Sequence, residues 1–176
     1  MDFARVYGMV AAFLEEHGAR VAVIGGLGLH AHGVTRATVD LDLVAEAAVQ
    51  EALVAFLESH GYETLYRSAG YSNHVHTVDG LGRVDVVYVD PETAGTLFSG
   101  CAARLELGSR IALVPRAEHL AAMKVQAMKN DKGRELQDLA DIQALLRIPG
   151  IDATEVRGYF ERAGLRDRYD AIERTL

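Results

Sequence analysis

A glycine pair followed by alternating acids constrains this chain more than any other stretch of it: Gly25-Gly26, thirteen residues, then Asp40-Leu41-Asp42-Leu43. Side chains alternate faces along a β-strand, so Asp40 and Asp42 emerge on one side while Leu41 and Leu43 enter a core. Two carboxylates side by side repel each other unless a cation sits between them. A third strand acid, Asp85 in Gly82-Arg83-Val84-Asp85-Val86-Val87, could join them from a neighbouring strand. A divalent metal is the natural partner of such oxygens. Asp is depleted in strands, which argues against three such placements as decoration. The plain alternative is that the acids face solvent or pair with Arg36 and Arg83.

The preceding segment fits the same task. Val21-Ala22-Val23-Ile24 reads as a buried strand over residues 20–24, and Gly25-Gly26 permits a sharp turn with close ligand approach. Leu27 to His32 reads as a short helix, whose N-terminal N–H groups suit a phosphate. A Gly-Gly turn alone is what any α/β chain needs; its place ahead of the acid pair gives it meaning. Arg36 lies between helix and acids, where it could meet a phosphate or a carboxylate.

Periodicity organises the rest. Phe3, Val6, Tyr7, Val10, Phe13 and Leu14 mark an opening amphipathic helix ending near Gly18. A strand over 39–44 and a helix over 46–60 with Val49, Leu53, Phe56 and Leu57 on its buried face follow. Strands are expected over 62–67, 72–78 and 83–89, with Asp79-Gly80-Leu81-Gly82 as a hairpin turn, so the sheet is mixed. Asp90-Pro91-Glu92 opens a short helix, and residues 101–107 and 110–114 form a second hairpin. Beyond Pro115, which suits a first-turn position, all reads as helix, with Leu136, Leu139, Ile142, Leu145 and Leu146 as one stripe. Asp152 with Glu155 has the form of a capping box.

The 176 residues suffice for one buried core, and a formal net charge of -7 argues against a broad nucleic-acid-binding face. Cys101 stands alone, excluding a disulfide framework and a cysteine-based zinc site. The start Met1-Asp2-Phe3-Ala4-Arg5 lacks signal-peptide character and no apolar run is long enough to cross a bilayer, so a cytoplasmic protein is expected. Arginine occurs fifteen times and lysine three, yet Lys124, Lys129 and Lys132 fall together, as a phosphate site would require or as a solvated helix end would show. Arg134 and Asp138 have the spacing of an exposed helix pair. His74 and His76 share a strand face, read as a polar sheet face near the substrate.

The order apolar-Gly-Gly, spacer, Asp-apolar-Asp-apolar and later strand Asp, over roughly residues 20–90, resembles the nucleotidyltransferase superfamily that includes DNA polymerase β. Pro115 to Lys124 and Asp138-Leu139-Ala140-Asp141-Ile142 are similar to the helical half of small bacterial nucleotidyltransferases of the AbiEii toxin type. Many members carry Gly-Ser where this chain has Gly26-Leu27, which leaves phosphate contacts here to the backbone.

The resemblance implies an α/β (α+β) fold with a mixed-sheet, palm-like core over residues 1–114 flanked by helices, and a helical half over residues 115–176 packed on it. It implies an enzyme that uses two Mg2+ ions and transfers a nucleoside monophosphate from an NTP to a hydroxyl. Asp40, Asp42 and Asp85 would be catalytic metal ligands; Gly25, Gly26, Arg36 and Lys124 would hold the nucleotide; Lys129, Arg134 and Asp141 would complete the site. The acceptor stays open: tRNA or protein, with an antitoxin protein as partner, or a small molecule such as an aminoglycoside or lincosamide, which the acidic charge suits. A non-catalytic nucleotide- or partner-binding module is the reading of another class.

Overall fold

The computed structural model describes residues 1–101 and 103–176. Its first part runs α1 (Phe3–Glu16), β1 (Val21–Val23), α2 (Gly25–Ala31), β2 (Asp40–Glu46), α3 (Gln50–Ser59), β3 (Glu63–Ser68), β4 (Tyr71–Val75) and β5 (Arg83–Val89). Then come α4 (Pro91–Ser99), the hairpin β6 (Ala103–Leu107) and β7 (Arg110–Val114), and the helices α5 (Ala117–Asn130), α6 (Glu135–Leu146), α7 (Ala153–Ala163) and α8 (Arg166–Glu173). The strand read over 101–107 is seen from Ala103, and residue 102 of that reading lies outside the described residues.

Strand order in the main sheet is β1-β2-β5-β4-β3, with β2 and β5 parallel and the other pairs antiparallel. The sheet is mixed, as the pattern of strands and helices required, and flanked by helices. Leu41, Leu43, Val84 and Val86 are fully buried and join Val6, Val10, Leu14, Leu53 and Leu57 in one core. Each such side chain contributes on the order of 1.5–3 kcal/mol by leaving water, which fixes the faces of β2 and β5. A shift of one residue in either strand would turn its acids into that core.

Three local expectations change. Pro115 precedes the first turn of α5, whose cap is Arg116. The Pro115 carbonyl instead accepts from His32 Nε2 at 2.7 Å and ties α2 to α5. Leu136 is 85% exposed, because the inward face of α6 carries Asp138, Asp141, Ile142 and Leu145. Asp152 does cap α7, accepting from Glu155 N at 2.9 Å. The Glu155 carboxylate, however, takes Arg116 Nη2 at 2.6 and 2.8 Å and the Tyr159 hydroxyl at 2.6 Å, leaving Asp152 N to Glu118.

His74 pairs with Val84, and so faces the core side of the sheet rather than the side of Asp85. It is fully buried, and its ring lies between Ser72 Oγ at 2.7 Å and Thr64 Oγ1 at 3.0 Å. Thr64 donates to Glu58 Oε1 at 2.7 Å, and Ser72 meets the Tyr88 hydroxyl at 2.8 Å. One direction of donation satisfies all of them: Tyr88 to Ser72, Ser72 to Nε2, Nδ1–H to Thr64, Thr64 to Glu58. That chain needs a neutral imidazole, and burial pushes the His74 pKa down. Its contribution is therefore fully present above the ordinary histidine value near 6.5 and is lost as pH falls below it. The urea midpoint should drop between pH 7 and pH 5 more steeply in the wild type than in His74→Gln, measured by circular dichroism.

Candidate active site

Parallel register puts Asp42 of β2 directly opposite Asp85 of β5, and Asp40 opposite Arg83. Neighbouring strands stand about 4.8 Å apart, so the Asp42 and Asp85 carboxylates share one face and repel. The Asp42 carboxyl is pushed up to about 6, first by burial, then by Asp85 and Asp40, while Arg134 and Lys124 pull the other way. All three strand acids thus act on one place. Asp85 Oδ1 accepts from Asn73 Nδ2 at 2.7 Å and from Arg83 Nε at 3.1 Å. The Arg83 pairing is the one the plain reading allowed; Arg36 goes elsewhere, to Asp141 Oδ1 at 3.4 Å.

Gly25 is required twice over. Its φ of +58° lies in the left-handed region, and a Cβ there would stand 1.9 Å from Asp42 Oδ2. The first residue of α2 is thereby pressed against the carboxylate of β2, and Ile24 N donates to the Asp42 carbonyl at 3.0 Å. Ile24 offers α2 no side-chain cap, so first-turn N–H groups of the helix stay available beside the acid. Gly26 has a packing reason: a Cβ would lie 2.6 Å from Thr38 Cβ, in the loop that delivers β2.

The helices bring a second cluster. Lys124 is buried, its Nζ 3.0 Å from Asp138 Oδ1 and 2.5 Å from Asp141 Oδ2. Arg134 Nε approaches Asp138 Oδ2 at 3.5 Å, an oxygen that accepts no hydrogen bond among the described residues. Asp138 was expected on an exposed face; it is 1% exposed, because Lys124 draws it inward. Lys124, read as a ligand of the triphosphate, is engaged by two carboxylates. Lys129 is exposed and stands with Gln126, Tyr159 and Arg162 around a hollow between α5 and α7, apart from the strand acids.

Among the described residues no three His, Cys, Asp or Glu side chains are gathered to hold a metal ion. The donors of Asp40, Asp42 and Asp85 nevertheless fit Mg2+ in kind, being hard oxygens on one face. Burial first, and then the charges of Asp85 and Asp40, raise the Asp42 carboxyl, and a divalent cation would offset both effects. Metal binding would compete with Arg83 for Asp85. Asn73 and Tyr71 escaped the sequence reading: Asn73 Nδ2 also reaches the Tyr71 hydroxyl at 3.3 Å. No sequence signal marks them: strand pairing places Asn73 opposite Asp85, with Tyr71 two residues along the same face.

Residues 8–89 match the family model described as aminoglycoside-2''-adenylyltransferase. No curated protein matches the chain. Among solved structures it is similar to the antibiotic-resistance factor ANT(2'')-Ia in solution, at 17% identity and TM-score 0.65, over 99% of this chain and 98% of that one. A crystal structure of ANT(2'')-Ia in complex with adenylyl-2''-tobramycin is similar at 15% identity and TM-score 0.65, over 94% of this chain and 98% of that one. The lincosamide antibiotic adenylyltransferase LnuA, with lincomycin bound, is similar at 14% identity and TM-score 0.55, over 82% and 96%. The protein has the fold of the nucleotidyltransferases, a class of transferase enzymes.

Two stability measurements follow from the charges. A carboxyl raised from 3.8 to about 6 costs the folded state roughly 3 kcal/mol at neutral pH, at 1.36 kcal/mol per tenfold change in proton affinity. That cost is present above pH 6 and disappears as acid protonates Asp42 towards its unfolded value. Asp42→Asn should therefore be more stable than the wild type at pH 7.5, with the difference shrinking towards pH 4, read from urea midpoints. Lys124→Met leaves Asp138 and Asp141 buried without their ammonium and should destabilise by about 3–5 kcal/mol in the same assay.

Proposed function

We propose that the protein is a Mg2+-dependent nucleotidyltransferase that moves a nucleoside monophosphate from an NTP, ATP first, to a hydroxyl of a small cationic acceptor of the aminoglycoside type. The observation that carries this reading is the opposition of Asp42 and Asp85 beside the glycine turn, with the Asp42 carboxyl raised to about 6. A site that stores like-charge repulsion on a rigid sheet is prepared for a strongly cationic ligand set. The family match to an aminoglycoside-2''-adenylyltransferase and the fold shared with a structure holding adenylyl-2''-tobramycin support the choice of nucleotide and acceptor. The net charge of -7 suits a polycationic acceptor.

In this account the acceptor oxygen attacks the α-phosphorus, the bond to the bridging oxygen breaks, and pyrophosphate leaves. The acceptor's proton goes to Asp85, which Asn73 and Arg83 hold in place. First-turn N–H groups at Gly25 and Gly26 take phosphate oxygens, and Arg36, paired with Asp141, adds positive charge. Mg2+, held by Asp40, Asp42 and Asp85, would neutralise the charge that builds on the phosphates. Lys124 acts at one remove, fixing Asp138 and Asp141 and lending its field to Asp42. Positioning and electrostatics suffice for such a transfer without a covalent intermediate.

The second reading is a toxin with a tRNA or protein acceptor and an antitoxin partner; the family match to an aminoglycoside-2''-adenylyltransferase favours the small cationic acceptor over it. Incubation with α-labelled ATP, Mg2+ and, separately, tobramycin, lincomycin and total tRNA should label tobramycin. Asp85→Asn should lower that rate by about 10²–10⁴-fold. Wild-type rates in Asp42→Asn would contradict the site, and label on tRNA alone would contradict the acceptor.

A further inference from the structure

The face that carries the strand acids continues past them. Register places Asp42 opposite Asp85, Asp85 opposite Asn73, and Asn73 opposite Tyr66, a single transverse row across β2, β5, β4 and β3. The glycine turn presses on the Asp42 end of that row. In a displacement at phosphorus the attacking and leaving oxygens lie roughly in line on opposite sides. A triphosphate anchored at the glycine end therefore sends its leaving group that way, and the acceptor must come from the other end, over β4 and β3.

What stands there is shaped for a ligand. A bulge between Thr64 and Tyr66 inserts Leu65 into β3. Without it Tyr66 would fall opposite Ser72, on the core side with His74. The extra residue turns Tyr66 onto the Asp85 face, and bulges are a recurrent means of re-aiming a side chain beside a site. Tyr66 is 59% exposed, its ring centroid 6.1 Å from that of the half-buried Tyr71 and tilted by 40°. The Tyr71 hydroxyl accepts from Asn73 Nδ2, which steadies its ring. Asn73, 3% exposed, spends its amide N–H groups on the two neighbours that matter, Asp85 Oδ1 and the Tyr71 hydroxyl.

We propose that the β3–β4 hairpin is the acceptor side of the site, with Tyr66 and Tyr71 as the wall that meets the acceptor and Asn73 as the positioning residue of Asp85. Tyrosine faces stack on the C–H faces of sugar rings and attract ammonium groups, so the wall takes an amino-substituted ring compound. The inference rests on the nucleotidyltransferase reading for the direction of entry, and it commits the acceptor to a particular pair of side chains.

Calorimetry on the full chain tests it, with tobramycin as the probe and Mg·ATP as the control. Tyr66→Ala, an exposed substitution, should weaken tobramycin about tenfold and leave Mg·ATP unchanged. Asn73→Leu, which removes the donor without adding charge, should lower kcat with both KM values unmoved, a split that general loss of structure would not produce. Tobramycin binding indifferent to both Tyr66→Ala and Tyr71→Ala, no tobramycin binding, or a loss confined to Mg·ATP would overturn the assignment. Tobramycin bound through Tyr66 but never labelled sinks the transfer reading and leaves the hairpin assignment standing. Labelling by Tyr66→Ala at an unaltered tobramycin KM does the reverse.

Discussion

The repulsion between Asp42 and Asp85, imposed by the parallel pairing of β2 with β5, is the interaction on which the rest of the structure turns. Their backbones cannot separate, because Leu41, Leu43, Val84 and Val86 anchor the same strands in the core. Their side chains cannot both go to solvent, because Gly25 closes over Asp42 and Asn73 holds Asp85. Burial first, and then the charges of Asp85 and Asp40, raise the Asp42 carboxyl to about 6. A fold selected for stability alone would place an amide or a hydroxyl there.

The helical part answers this charge without touching it. Lys124 and Arg134 both lower the Asp42 carboxyl, yet Lys124 is held by Asp138 and Asp141 of α6 and Arg134 by Asp138. A buried lysine with two carboxylates is a weak source of net stability, but its geometry is specific. The cluster fixes α5 against α6 at one distance from the sheet, and Arg36 joins it through Asp141. Cations are thereby kept near the strand acids in fixed positions instead of collapsing onto them.

Much of this was legible in the residues. The alternation of Asp40 and Asp42 with leucines gave the strand face, and the glycine pair gave the turn, because both are short-range effects of backbone geometry. The opposition of Asp85 to Asp42 needed strand order, which sequence does not state. Leu136 was misread for a physical reason: an apolar stripe was sought on α6, whereas its inward face carries acids neutralised by a lysine on another helix. His74 was assigned to the wrong side of the sheet, since only register against Val84 decides its face. Tyr66 was invisible because one bulged residue, Leu65, reverses the side chain's direction, and Gly26 makes sense only once Thr38 is seen against it.

Anomalous diffraction from crystals grown with Mn2+ and a non-hydrolysable ATP analogue tests the central claim most directly. The account predicts a manganese peak within bonding distance of both the Asp42 and Asp85 carboxylates, with the triphosphate lying over Gly25. Nucleotide bound with no metal at those two acids, or metal seated only at Asp138 and Asp141, would contradict it.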